Sequence, residues 1–424
     1  MAKDNKKNIP VLRFPEFQND GEWIAKSIKD IAKTFSGGTP TVGNSDYYGG
    51  SIPFIRSGEI TKSTTDLFIT ELGLSSSSAK IVEEGTILYA LYGATSGEVA
   101  ISKIRGAINQ AILAIIPKSR KYVVNYIYYF LKHQKAQILS KYLQGGQGNL
   151  SGAIIDNLSI AFPCDYKGNI SDVEQTKIAD CFVSIDKEID ATKRKLVLLK
   201  EHKKGLMQRL FPAKGKTTPE LRFPEFQNDG EWEVYALGQI FSRITEKNTL
   251  NNQNVLTISA QYGLISQYDY FNKNVAALDV SKYYLVNKGD FAYNKSKSQG
   301  YPYGAIKALK LYNQGVVSPI YICFRIKDNQ NFSKAFFEYY FESELIHKEI
   351  NSISQEGARN HGLLNISTED FFAKINLYVP SLTEQFKIAN TLSSIDKQIA
   401  KYDEKIKALE LHKQGLMQQL FPKL

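Results

Sequence analysis

The chain has 424 residues, 53 Lys and Arg against 43 Asp and Glu, and a formal net charge of +10 at pH 7. That length accommodates two or three domains, and the basic balance favours a polyanionic partner. Cys164, Cys181 and Cys323 are isolated, which excludes a zinc-finger spacing and a secreted disulfide framework; the polar start and the lack of an 18-residue apolar run point to a cytoplasmic protein.

Residues 1–23 read as a polar leader followed by a tag, LRFPEFQNDGEW, which recurs unchanged at 221–232. The block 24–173 alternates short β-type runs (52–56, 85–91, 99–104, 111–116, 158–162) with Gly/Ser turns. Ser119 is placed to cap a helix that runs to about residue 143. From 174 to 212 the chain reads as one long helix. Its apolar residues Ile178, Phe182, Ile185, Ile189, Leu196, Leu199 and Leu206 repeat with the 3.5-residue period of a coiled-coil seam.

Residues 213–232 are a linker and the second tag. Gly215-Lys216-Thr217 matches the end of a phosphate loop, but the motif's first glycine would fall at Leu210, after a helix rather than a strand. The block 233–383 repeats the plan, with candidate strands at 255–258, 290–293 and 320–326 and a helix from Ser333 to about residue 353. Residues 384–424 are a second long helix. It repeats the first at an offset of 210, with 21 of 39 positions identical, and its seam is Ile388, Leu392, Ile395, Ile399, Ile406, Leu409 and Leu416. Thr192, Lys203 and Lys413 interrupt the two seams. One apolar stripe cannot bury itself, so each helix needs a partner; the other copy serves, and packing on its own block is the alternative.

The blocks diverge in sequence yet keep their landmarks. Gly85-Thr86-Ile87 corresponds to Gly289-Asp290-Phe291, Gly106-Ala107-Ile108 to Gly315-Val316-Val317, and Gly146 with Asn149 to Gly357 with Asn360. One frame therefore carries two sets of surface residues. Candidate nucleic-acid contacts are Gly37, Gly38, Thr39, Tyr92, Thr95, Ser96, Gln147 and Asn149 in the first block, and Asn294, Lys295, Lys297, Tyr301, Arg359, Asn360 and His361 in the second. Tyr47, Arg56, Gln110 and Lys247 complete the set. Glycines let backbone approach phosphate, lysines suit phosphates, and Arg and Asn suit guanine and adenine edges. Any one of these loops reads equally as an ordinary tight turn or a solvated charged loop.

Catalytic signatures are missing: no Asn-Pro-Pro-Tyr or Asp-Pro-Pro-Tyr, no Gly-rich cofactor loop after a strand, and no metal or triad spacing among His133, His202, His347, His361 and His412. A binding module without catalytic or metal-ligating residues fits better than an enzyme.

Gly37-Gly38-Thr39-Pro40, Tyr92-Gly93-Ala94-Thr95, Ala107-Ile108-Asn109-Gln110-Ala111, Gly289-Asp290-Phe291-Ala292-Tyr293-Asn294-Lys295 and Ser318-Pro319-Ile320-Tyr321 occur in that order, with Pro163 and Pro380 ahead of the Glu-Gln helix starts. With the duplicated helix ending in Leu-Phe-Pro, they resemble the specificity subunit of type I restriction–modification systems over nearly the whole chain. The resemblance implies an α+β fold: two similar α/β target-recognition domains joined by two long helices in an antiparallel coiled coil, with pseudo-twofold duplication. It implies that each domain reads half of a split site in double-stranded DNA, and that the helices act as a ruler and dock two modification (methyltransferase) subunits. Motor–nuclease restriction subunits would join them. S-adenosylmethionine, ATP and Mg would sit on those partners, none on this chain. The other classes left open are a DNA-bridging structural protein without sequence choice and an enzyme acting alone on DNA.

Overall fold

The computed structural model describes residues 9–143, 149–213, 215–259, 263–271, 279–298, 300–356 and 364–422. The chain divides into two compact units, Met1–Lys193 with Glu404–Leu424, and Arg194–Asp403. The division cuts both long helices, Asp172–Leu210 and Leu382–Leu420, near their middles. Each unit thus holds the first half of one helix and the second half of the other.

In the first unit, four antiparallel strands lie in the order Ala32–Ser36, Ile112–Pro117, Ile87–Ala90, Val99–Ile101. The second unit repeats the order with Phe241–Arg243, Ile322–Ile326, Phe291–Asn294 and Ala305–Ala308. Side chains alternate across a strand, and the central strand buries both of its faces. Ile87 and Tyr89 enter one apolar cluster, while Leu88 and Ala90 enter another on the opposite face. Phe291 and Tyr293 divide from Ala292 in the same way.

A second sheet in the first unit pairs Tyr48–Ile55 in parallel with Gly106–Ile108, which also pairs antiparallel with Lys80–Val82. The second unit keeps its core, with Tyr284–Asn287 antiparallel to Gln314–Val317 and Val255 bridged in parallel to Val316.

The helix Val124–Tyr142 buries Tyr126, Ile127, Tyr129 and Phe130 against the first sheet. Its cap is not Ser119, whose hydroxyl takes the Lys121 N–H instead. The cap is Val123, whose side chain cannot accept a hydrogen bond; the Gln175 amide oxygen, reaching over from the long helix, takes the Val123 N–H at 3.0 Å. Ser333 does cap its helix, and Gln385 takes its N–H at 2.9 Å. The single helix expected from Ser333 is two, Lys334–Tyr340 and Glu344–Ile353. Ser343 causes the break: its N–H and its hydroxyl both go to the Tyr340 carbonyl, which diverts the chain from the helical path.

Within each unit the two helix halves run antiparallel. Ile178 and Phe182 share the first unit's aromatic core with Met417, Leu420 and Phe421. Ile388 and Leu392 share the second unit's core with Leu210 and Phe211, and Leu206 packs against it. Of the other seam residues, Ile189, Leu196, Ile395 and Ile406 are buried, whereas Ile185, Leu199, Ile399, Leu409 and Leu416 are half-buried. The polar interruptions have defined partners. Thr192 donates to the Glu188 carbonyl. Lys413 reaches Asp186 at 2.5 Å and Lys203 reaches Asp396 at 2.5 Å. Each carboxylate also accepts a tyrosine hydroxyl from its own unit, Tyr129 and Tyr339 respectively. Both lysines lie over those tyrosine rings, at 5.0 and 5.1 Å. These paired networks tie each sheet domain to both helix halves.

The repeated tag has the same task in both units. Arg13 forms two hydrogen bonds to Glu174, at 2.8 and 2.7 Å, and donates to the carbonyls of Asp20 and Gly21. Arg222 repeats this with Glu384 and the carbonyls of Asp229 and Gly230. The tag also reaches the end of the other helix half, through Leu12 N–H to the Gln419 carbonyl and Leu221 N–H to the Arg209 carbonyl.

Candidate nucleic-acid interface

Sheet order brings several loops of the first unit to one end. Ile55 and Ile108 are partners in the parallel pair, so Arg56 and Asn109–Gln110 leave it side by side. Gly37 packs on the Ile108 carbonyl so closely that a Cβ there would stand 1.8 Å from the oxygen, and one on Gly38 would stand 2.6 Å from the Ser78 Cβ. The Thr39 hydroxyl then donates to the Gln110 amide oxygen at 2.7 Å. The Leu91 N–H donates to the Ala111 carbonyl, and the Leu91 carbonyl accepts both the Leu150 N–H and the Ser96 hydroxyl. Tyr92 and Asn149 form a β-bridge. Gly37, Gly38, Thr39, Arg56, Tyr92, Ser96, Gln110 and Asn149 therefore belong to one loop cluster.

Their roles divide. The two glycines serve packing, since neither has room for a side chain. Substituting Gly37→Ala should cost about 1–3 kcal/mol by overpacking, visible as a lower urea midpoint with no change in the denaturant slope. Ser96 spends its hydroxyl inside the loop, and Thr95 contributes its carbonyl to the Glu98 N–H. Thr39, Gln110 and Asn149 are exposed and present polar groups outward. Arg56 is held at 3.0 and 3.1 Å by Glu59 and reaches Asp66 at 3.4 Å. Its guanidinium holds the buried Glu59 carboxyl down to about 2, so the pair stays ionised at any physiological pH. Tyr47 is half-buried on the turn Ser45–Tyr47, where its carbonyl, rather than its phenol, accepts the Thr70 N–H.

The second unit places Asn294, Lys295, Lys297 and Tyr301 on one hairpin between the paired strands Phe291–Asn294 and Ala305–Ala308. The Asn294 side chain takes the Ser296 N–H. Tyr301 donates to Glu342 and accepts from Lys307, and burial pushes its phenol well above the ordinary value. Lys295 contributes its carbonyl to the Leu364 N–H, as Leu91 does to Leu150. Both blocks thus return the chain after the helix to the end of the same central strand. Lys247 lies apart from the hairpin's contacts, 4.1 Å from the Tyr284 ring and donating to the Lys282 carbonyl. Gln147, Arg359, Asn360 and His361 lie outside the described residues.

Sequence reasoning missed Arg13, Glu174 and Gln175 with their counterparts Arg222, Glu384 and Gln385. The signal was present, because the tag recurs unchanged and both long helices carry Glu-Gln near their starts. Among the described residues no group of His, Cys, Asp and Glu could hold a metal ion, and no helix is long and apolar enough to cross a membrane.

The family model for the type I restriction modification DNA specificity domain matches residues 20–201 and 229–411. The MjaIX specificity subunit of Methanocaldococcus jannaschii is 30% identical over 240 residues, 52% of this chain and 51% of that protein. The EcoR124I/EcoR124II specificity subunit of Escherichia coli is 29% identical over 136 residues, 30% of this chain and 32% of that protein. The chain thus spans about half the length of the first of these and less of the second. The solved S subunit of M. genitalium shares the fold at a TM-score of 0.58 and 15% identity, over 98% of this chain and all of that one. A chain from a type I R-M system, solved in work on complex assembly and conformational transition, gives 0.52 and 14% over 94% and 97%. With both of its halves matched, the chain belongs to the family of type I restriction modification DNA specificity domain proteins.

Proposed function

We propose that this chain is the sequence-reading subunit of a type I restriction–modification complex. Each unit reads one half of a bipartite site in double-stranded DNA. One observation carries this reading: a duplicated frame, fixed by the same buried Arg–Glu clamps, ends in two loop clusters with different polar residues. In the first, Thr39, Gln110 and Asn149 present outward groups; in the second, Lys295 and Lys297 sit on a hairpin. Contacts to phosphate supply affinity that falls steeply with salt, and a few base-edge contacts supply choice. The long helices set the number of unread base pairs between the half-sites and dock two methyltransferase subunits. Those partners carry S-adenosylmethionine and adenine methylation, and restriction subunits add ATP- and Mg-dependent cleavage.

Exchanging residues 24–173 for the corresponding block of another family member tests the reading. Mapping methylated adenines in cells that hold the partner subunits should show one half-site changed and the other kept. Change in both halves would refute modular reading. Equal displacement of bound DNA by random competitor would instead identify a bridging protein without sequence choice.

A further inference from the structure

A cavity of about 840 Å3 opens within the second unit. Its walls are the last turns of the first long helix, the strand after Tyr301, and the helices Lys334–Tyr340 and Glu344–Ile353. Six lysines line it, Lys200, Lys203, Lys204, Lys307, Lys310 and Lys348, against three carboxylates, Glu338, Glu342 and Asp396. Six minus three leaves a surplus of three positive charges among the described lining residues.

Internal pairing does not account for that surplus. Asp396 is taken by Lys203 at 2.5 Å, Glu342 by Lys307, and Glu338 by Lys310. Lys200 meets Asp403, outside the cavity wall, at 4.0 Å, so the positive charges left over on the wall are those of Lys204 and Lys348. Lys204 and Lys348 are exposed and face walls whose carboxylates are already engaged.

Comparison of the two repeats separates framework from surplus. Lys203, Met207 and Phe211 recur as Lys413, Met417 and Phe421, and the wall residues Tyr339 and Asp396 have the matching pair Tyr129 and Asp186. Where the repeats differ, Lys200 and Lys204 stand against Glu410 and Gln414. Lys200 with Asp403 repeats the pair of Glu410 with Lys193, its signs exchanged, so Lys200 belongs to the framework; Gln414 shows that the first unit is built without a charge where Lys204 stands.

We propose that this cavity binds a polyphosphate, free or as the chain of a nucleotide, with Lys204 and Lys348 on the phosphate oxygens. Lysine ammonium groups bind phosphate as point charges, and two of them on one wall suit successive phosphates of a chain. The volume is that of a small-molecule site and has no room for a duplex. Tyr301 and His347 also line the space, with the Lys307 ammonium over the Tyr301 ring at 4.6 Å.

Calorimetric titration of the full chain with inorganic tripolyphosphate, ATP, AMP and adenosine tests the proposal. Tripolyphosphate and ATP should bind once per chain, AMP at least about tenfold more weakly, and adenosine not at all. ATP binding tighter than tripolyphosphate identifies a nucleotide as the occupant; equal binding identifies the phosphate chain. The double variant Lys204→Glu with Lys348→Glu, checked for an unchanged thermal midpoint, should abolish both. Lys62→Glu with Lys103→Glu, an equal charge change on the first unit, should leave both intact. The proposal is overturned if tripolyphosphate gives no heat at about 1 mM, or if the two double variants weaken it equally, which marks diffuse attraction. It is also overturned if the cavity variant lowers affinity for duplex DNA while neither polyphosphate binds, because the occupant is then the DNA backbone.

Discussion

Replacing Arg13 by Ala should cost the first unit about 3–5 kcal/mol, the loss that follows when one member of a buried ion pair is removed. The side chain of Glu174 is fully buried and that of Arg13 is 6% exposed, so water cannot take the place of the guanidinium. The pH dependence gives the loss a signature. Burial raises the Glu174 carboxyl above the ordinary 4.5, and the two bonds from Arg13 oppose that rise. In the variant only the upward push remains. A folded-state value above the unfolded one means that the folded chain holds the proton more tightly. The stability is therefore present below the unfolded value and is lost as pH rises through the folded one. Denaturation of R13A should show its full deficit above the raised Glu174 value and a smaller one as pH falls through that value toward the unfolded one. A deficit independent of pH would show that Glu174 is not the group left unpaired.

Phe421→Ala should be comparably severe, about 3–5 kcal/mol for a phenylalanine removed from a packed core. Phe421 lies 5.7 Å from the Phe182 ring, 5.6 Å from Tyr126 and 5.3 Å from Phe130. Its counterpart Phe211 sits among Trp232, Phe336 and Tyr340 in the second unit. Hydrogen exchange should therefore separate the two substitutions. F421A should lower protection in the helix Val124–Tyr142 and spare Lys334–Tyr340, and F211A should do the reverse. Equal loss of protection in both helices from either substitution would refute this assignment of each phenylalanine to the other repeat's core.

Much of the fold was legible because the sequence states it twice. The seam period and the 210-residue offset revealed both long helices, and matched glycines such as Gly85 and Gly289 revealed that the blocks share a frame. Both helices start two residues ahead of their Glu-Gln pairs, at Asp172 and Leu382, because Ser171 and Ser381 accept the N–H of Glu174 and Glu384. What stayed hidden depends on long-range contacts. Arg13 and Glu174 are 161 residues apart, and no local period links them. Ser119 had the chemistry of a cap, yet the helix starts after Val123 without a side-chain cap, and a glutamine from the long helix takes the Val123 N–H. The candidate interface was legible as residue types and not as roles. Gly37 looked like a phosphate loop and is a close approach between backbones. Arg56 read as a candidate nucleic-acid contact and is held by the buried Glu59, six residues before Thr65 closes the same network.

The lodging of Phe421 among residues near 126 and 182 also orders events on the ribosome. Translation must run more than two hundred residues past Phe182 before that ring exists. At roughly 5–20 residues per second, the nascent first domain waits some tens of seconds with an aromatic socket unfilled. Slower elongation after Phe182 would lengthen that wait.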